Sequence, residues 1–219
     1  MSARTLRDRL LRRAHLAGLD LPAGLVAGLE AYFSELARWN AKVNLTAFSL
    51  TGGGNDAAVD RLLIEPVLAA RYLSPGATAL LDAGSGGGSP AIPVKLARPD
   101  VALHMVEVKV RKSVFLRQVA RTLGLTDTTV YTARFEELLT RADLHEAMSA
   151  VSIRAVRIDP GVLTTLQAFL RPGGEILSFT SGGAAVTAVP PLTVIGEHDL
   201  LSGNRSRLVI LKKTAVGRP

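Results

Sequence analysis

The segment that most constrains this chain is Leu80-Leu81-Asp82-Ala83-Gly84-Ser85-Gly86-Gly87-Gly88. An apolar run of strand length enters a glycine-rich turn, and Pro90–Ala97 after it reads as a helix. Glycines there allow positive φ and let the backbone approach a ligand closely. In a doubly wound sheet the first strand-to-helix turn is where nucleotides bind. Glycine-rich turns also serve packing, so two acidic residues matter. Asp82 directly precedes the turn, giving acidic-x-Gly-x-Gly-x-Gly, and Glu107 ends the next strand-like run, 23 positions after Gly84. A carboxylate at that distance can take two ribose hydroxyls. The dinucleotide fingerprint wants Gly or Ala at position 89, and this chain has Ser89. A pyrophosphate also disfavours an acid at the mouth of the turn. The pattern points to a nucleoside carrying a cationic group, S-adenosyl-L-methionine, with a nicotinamide dinucleotide as the alternative.

Around this segment the chain alternates. Ala79–Leu81, Ala102–Val106, Thr129–Tyr131, Ala150–Ile153 and Ile176–Phe179 read as strands. Pro90–Ala97, Val110–Leu123, Phe135–Thr140 and Gly161–Leu170 read as the helices between them. Such alternation predicts an α/β fold, a doubly wound, mostly parallel Rossmann-like sheet with helices on both faces. Leu192–Glu197 and Leu208–Leu211 follow without an intervening helix and predict a terminal antiparallel hairpin. Ser181–Pro191, rich in small residues and Pro, reads as a loop. Before Ala79 the pattern is helical. Leu25, Leu29, Tyr32 or Phe33, Leu36 and Trp39 recur at three-to-four spacing. Pro66 must kink or begin the helix expected over Asp56–Tyr72. The expected organisation is a helical N-terminal extension over 1–75 and a core over 76–219, forming one structural domain.

Composition removes several chemistries. Zero Cys excludes a disulfide framework, thiolate zinc, an iron–sulfur cluster and any thiol nucleophile. His15, His104, His145 and His198 share no ligand spacing, so no metal is expected. The net charge of +7 favours an anionic partner such as nucleic acid, although 20 Arg against 6 Lys can also follow genome composition. No apolar run is long enough to cross a membrane. The Arg-rich start lacks the apolar core of a secretory signal and reads better as an amphipathic helix stopped at Gly18, with a transit peptide as the alternative. A cytoplasmic location is the simplest expectation.

Several segments together resemble one family. They are Trp39-Asn40-Ala41-Lys42-Val43-Asn44-Leu45-Thr46, the loop Asp82 to Pro93, Arg111-Lys112-Ser113-Val114-Phe115-Leu116, Arg134-Phe135-Glu136-Glu137, Arg154-Ala155 and Arg207-Leu208-Val209-Ile210. In this order they resemble the bacterial 16S ribosomal RNA guanine-N7 methyltransferases, also called glucose-inhibited division protein B. The resemblance spans about residues 25 to 213. It implies a class I S-adenosylmethionine-dependent methyltransferase acting as a monomer on ribosomal RNA or the small ribosomal subunit. It also implies that Gly84, Ser89, Phe135, Glu136 and Arg154 line the cofactor; Gly86, Gly88 and Glu107 join them from the turn argument.

Guanine N7 carries a free lone pair, so proximity and alignment can carry the reaction and no catalytic acid or base is assigned. RNA contacts are expected from Arg38, Lys42, Arg111, Lys112, Arg134, Arg157, Arg205 and Arg207. Asn40 and Asn44 read as capping residues and Trp39 as core.

The chain departs from the family in places. Leu62, Glu65 and Pro66 stand where the family carries a His and an Asp-Ser pair, and Ser89 replaces an aromatic or leucine. Ala91, Glu107-Val108, Ile153 and Thr180-Ser181 also depart from its pattern. A methyltransferase with another RNA or a small-molecule substrate, or a weakened enzyme, is therefore one alternative. A nicotinamide-dependent oxidoreductase or a noncatalytic nucleotide-binding module is the other.

Overall fold

A computed structural model describes residues 5–155, 158–181, 185–201 and 206–214. Three helical segments come first: α1 (Leu6–Leu16), α2 (Ala23–Val43), and a bent helix made of α3 (Asp56–Val59), a π turn (Asp60–Ile64) and α4 (Glu65–Ala70). Strands and helices then alternate: β1 (Ala79–Ala83), α5 (Ala91–Ala97), β2 (Ala102–Val106), α6 (Val110–Thr122), β3 (Thr128–Tyr131), β4 (Met148–Arg154), α7 (Pro160–Phe169) and β5 (Leu170–Ser181). The chain closes with β6 (Leu192–Asp199) and β7 (Ser206–Lys213).

The seven strands form one sheet in the order β3-β2-β1-β4-β5-β7-β6. The first five are parallel, and β7 and β6 are antiparallel, as the terminal hairpin predicts. Alternation of side chains across the pleat assigns the strand residues to two cores. Leu80, Leu103, Met105, Ala150 and Leu177 face one side, while Leu81, Val106, Val151 and Ile176 face the other. The first side is covered by α5 and α6 and by the N-terminal helices, whose buried Leu10, Leu29, Phe33 and Leu63 share that core. The second is covered by α7 and the segment after β3.

Two elements differ from the sequence expectation. Phe135–Thr140 is a 3-10 helix rather than an α-helix; six residues ending at Arg141 do not outweigh the cost of nucleating an α-helix. β5 begins at Leu170, immediately after α7, and its register against β4 shifts between Met148 and Ala150. Arg171-Pro172-Gly173-Gly174 hid that early start. The α1 arginines are spent within the fold. Arg7 pairs with Glu30, Arg9 and Arg12 with Asp56, and Arg13 with the buried Asp60.

Candidate cofactor and substrate site

The carboxyl ends of the central strands are level, with Ala83 opposite Val106 on one side and Ile153 on the other. The glycine turn starts there. Gly84 and Ser85 both donate their N–H groups to the Val106 carbonyl, at 3.0 and 2.9 Å, which folds the turn over the end of β2. Gly84, Gly86 and Gly88 have φ of +79°, +53° and +88°, a region that favours glycine. A Cβ on Gly86 would meet nothing nearer than the Gly84 oxygen at 3.8 Å, so its Cα faces open space. A Cβ on Gly88 would lie 2.5 Å from Ile92 Cδ1 and 3.2 Å from Leu116 Cδ2. Gly86 therefore leaves room at the cavity, whereas Gly88 is required by close packing of turn on helix.

Glu107 is buried beside the turn. Its Oε2 accepts the Gly86 N–H at 2.8 Å, and its Oε1 accepts the Lys109 N–H at 2.7 Å. A carboxylate has about four acceptor positions, so hydroxyl donors can still be served. Two cavities meet at this residue. The larger, about 400 Å³, is lined by Gly84, Gly86, Ser89, Glu107 and Arg154 among others. The smaller, about 270 Å³, is lined by Gly84, Glu107, Val108, Arg134, Phe135 and Glu136. Seven of the eight residues expected around the cofactor thus line one or the other of these two adjoining cavities. Gly88 lines neither cavity.

Tyr32, from the buried face of α2, fixes the turn from behind. Its hydroxyl donates to the Gly87 carbonyl at 2.7 Å, and burial pushes its phenol far above the usual range. Asp82 is not at the mouth of the turn, where the sequence pattern suggests an acid. It lies under it, 1% exposed, accepting a 2.5 Å bond from Ser152 Oγ, with no partner for Oδ2 among the described residues. Burial raises its pKa above the usual 3.8, against the opposing pull of that hydrogen bond.

Arg154 reaches the cavity at the end of β4 with its guanidinium already engaged. One terminal nitrogen donates to the Arg61 carbonyl at 2.6 Å and to Ser89 Oγ at 3.2 Å; the other meets Glu65 Oε2 at 3.0 Å. The guanidinium lies 4.2 Å from the centre of the Phe179 ring, a cation–π stack. Its Nε is buried without a hydrogen-bond partner among the described residues. Burial and the nearby Arg61 bring its pKa down to about 9, still charged at neutral pH.

The acceptors exist because of Pro66. Proline has no N–H to give the Leu62 carbonyl, and in the π turn the Glu65 N–H turns to Asp60 instead of Arg61. The two carbonyls are taken by Ser89 Oγ, at 3.0 Å, and by Arg154. The bent helix is thereby fastened to the cofactor loop.

The expected RNA-contacting residues are scattered. Lys112 lines the larger cavity and Arg134 the smaller. Lys42 and Arg111 are exposed on α2 and α6 and line neither. Arg38 pairs with Glu35, and Arg207 with Glu197 and Asp199 on the outer hairpin. Arg157 and Arg205 lie outside the described residues. Asn40 Oδ1 accepts from the N–H groups of Leu45 and Thr46, and Asn44 ends α2 in the left-handed conformation. Trp39 packs 5.7 Å from Phe115. Sequence reasoning missed Arg61, Lys109, Thr46 and Phe48 as cavity residues. Thr46 ended the Trp39–Thr46 motif, to which no site role was given beyond Lys42, Phe48 stood two places past it, and Lys109 stood two places after Glu107.

Comparison with known proteins identifies the family. A ribosomal RNA small subunit methyltransferase G from a Geobacter species is 33% identical over 179 residues, covering 82% of this chain and 79% of the relative. One of the same name from Ralstonia nicotianae is 33% identical over 201 residues, covering 87% of this chain and 90% of the relative. A solved SAM-dependent methyltransferase from Aquifex aeolicus shares the fold, with a TM-score of 0.56 at 13% identity, over 73% of this chain and 94% of that one. The model of the rRNA small subunit methyltransferase G family matches residues 26–184, and the chain belongs to that family.

Proposed function

We infer that this protein transfers a methyl group from S-adenosyl-L-methionine to N7 of a guanine in small-subunit ribosomal RNA. The observation that carries the reading is the junction of the two cavities at Gly84 and Glu107, in a chain of this family. The residues present fit the cofactor. Gly86 offers a surface a side chain would fill. Glu107 is a fixed carboxylate placed for ribose hydroxyls, and Phe135 offers an aromatic wall for a purine in the smaller cavity. When bound, the cofactor supplies an electrophilic methyl carbon on a sulfonium, which leaves as a neutral thioether.

The N7 lone pair forms the new bond directly, so no residue of this chain has to remove a proton. The chain's contribution is to bind and align. Glu107 and the turn set the nucleoside, and the strand ends bring Arg154 and Ser89 to the larger cavity beside it. We assign the reaction to a monomer in the cytoplasm; a single chain carries the turn, the carboxylate and the aromatic wall. No helix among the described residues is long and apolar enough to cross a membrane.

The test has two steps. S-adenosylhomocysteine at one hundred times its dissociation constant should stabilise the chain by about 2.7 kcal/mol, or ~5–11 °C for a domain of this size, and NAD should not. Labelled methyl should then pass to small subunits lacking the modification. No thermal shift with S-adenosylhomocysteine sinks the cofactor reading. A shift without transfer directs the enzyme to another RNA or to a small molecule.

A further inference from the structure

The larger cavity has a wall that the cofactor loop does not supply. Leu36 and Leu45, Thr46 and Phe48 come from the end of α2 and the loop after it. That loop is rigid for its size. Asn40 Oδ1 accepts the Leu45 and Thr46 N–H groups at 2.7 and 2.9 Å, and Thr46 Oγ1 accepts the Phe48 N–H at 3.3 Å. The Leu45 carbonyl sits so near the cofactor turn that a Cβ on Gly87 would lie 3.1 Å from it. Phe48, half-buried, is therefore an aromatic surface held at a fixed place in the cavity wall.

Charge around the same cavity is uneven. Arg61, Lys109, Lys112 and Arg154 all line it, yet the cofactor itself carries a cationic sulfonium. Arg61 and Arg154 are both engaged by the buried Glu65. Lys109 and Lys112 have no carboxylate partner among the described residues. The cofactor adds two cationic groups and only one carboxylate, so at least one of these two ammonium groups is left open to an anion of the substrate. An apolar aromatic wall with unpaired cations nearby matches one unstacked nucleotide: base against the ring, phosphate on the ammonium groups.

We propose that Phe48 is the stacking surface for the target base, and that Lys109 and Lys112 hold the phosphates flanking it in single-stranded or flipped-out ribosomal RNA. This rests on the methyltransferase reading above. It gives the Phe48 loop a role in setting the base within reach of the cofactor, which a base left in a helical stack could not achieve.

The experiment uses the full chain, labelled cofactor and small subunits lacking the modification, with S-adenosylhomocysteine affinity measured by calorimetry in parallel. Phe48→Ala should lower kcat/KM about 5- to 150-fold, the cost of one lost base stack, with S-adenosylhomocysteine affinity within about twofold of the parent. Phe48→Trp should retain most activity, and it replaces Phe48→Ala as the decisive variant if the latter melts with the cofactor loop. The Lys109→Ala, Lys112→Ala double variant should flatten the slope of log KM against log salt by roughly 1.4, as expected for two contacts to a single strand.

A parent that transfers no methyl overturns the substrate reading and this proposal with it. An active parent whose Phe48→Ala variant keeps full activity, or whose Phe48→Trp variant is dead, overturns the base slot alone. Equal losses of S-adenosylhomocysteine affinity and of activity in Phe48→Ala make Phe48 a cofactor wall instead and also overturn it.

Discussion

Glu65 is the residue whose removal should disturb the most. Its side chain is fully buried, and Oε2 meets both Arg154 at 3.0 Å and Arg61 at 2.9 Å. Arg154 is itself 7% exposed and held under the cofactor loop. In Glu65→Ala the guanidinium stays buried and loses its counter-charge. Breaking one partner out of a buried pair costs about 3–5 kcal/mol, which is roughly 6–20 °C in Tm for a domain of this size. Glu65→Gln keeps an acceptor at the same place and should lose less, about 1–3 kcal/mol. The sharper measurement is the cycle with Arg154→Met. If Arg154 suffers from an unpaired charge, the Glu65→Leu, Arg154→Met double variant should regain a large part of what Glu65→Leu loses, because a buried pair replaced by apolar groups is often close to neutral. Urea unfolding gives all four values. A Glu65→Ala variant within about 1 kcal/mol of the parent, or purely additive losses in the cycle, would refute the account of Glu65 as the counter-charge of the cavity.

The two glycines should separate stability from binding. Gly88→Ala forces a methyl against Ile92 and Leu116 at φ +88° and should cost about 1–3 kcal/mol in urea unfolding. Gly86→Ala meets open space at φ +53°; it should cost about 1–2 kcal/mol and weaken S-adenosylhomocysteine out of proportion, as calorimetry would show. Asp82 gives a pH signature. Burial raises its pKa in the folded chain above 3.8, so the folded state holds that proton more tightly than the unfolded one. Its contribution favours folding below 3.8 and is lost as pH rises through the raised value. Asp82→Asn should therefore gain stability relative to the parent between pH 4 and 7, read as the difference between two unfolding curves. A difference that does not change with pH removes Asp82 from that role.

The sheet was legible because a parallel strand buried on both faces reads as a short continuous apolar run. Leu80-Leu81 and Ala150–Ile153 are of this kind; β3 and β6, which lie at the sheet edges and are largely exposed, show the pattern least. The glycine turn and Glu107 were legible because their roles are local: a φ sign and a fixed distance along the chain. What stayed hidden depends on contacts distant in sequence. The α1 arginines read only as the polar face of an amphipathic helix, yet their partners are Glu30, Asp56 and Asp60, up to 47 residues away. Phe48 and Thr46 become cavity residues only because α2 lies across the face that α5 and α6 also cover. The α1 ion pairs are neutral and already cancel within the net charge of +7, so the excess of cations lies outside α1. Among the described residues, the cations without a carboxylate partner include Lys109 and Lys112, at the start of α6 and on the cavity.

The departures from the family pattern are less independent than they look in one dimension. Pro66 and Ser89 are 23 positions apart and both replace residues of a different kind. In the fold they meet through the Leu62 carbonyl, which Pro66 cannot serve and Ser89 Oγ does. The same bend releases the Arg61 carbonyl to Arg154, and Glu65, on the next turn, neutralises it. In this chain the acceptors that face the cofactor loop are backbone carbonyls presented by a break in the third helix. The departures at Pro66 and Ser89 bear on how the loop is fastened, while Gly84 and Gly86 remain and position 107, although changed, remains a carboxylate. That is the pattern expected when binding of the cofactor is retained while its supporting frame drifts. A chain losing its function would more readily lose Gly86, whose Cα faces the open cavity rather than a packing partner.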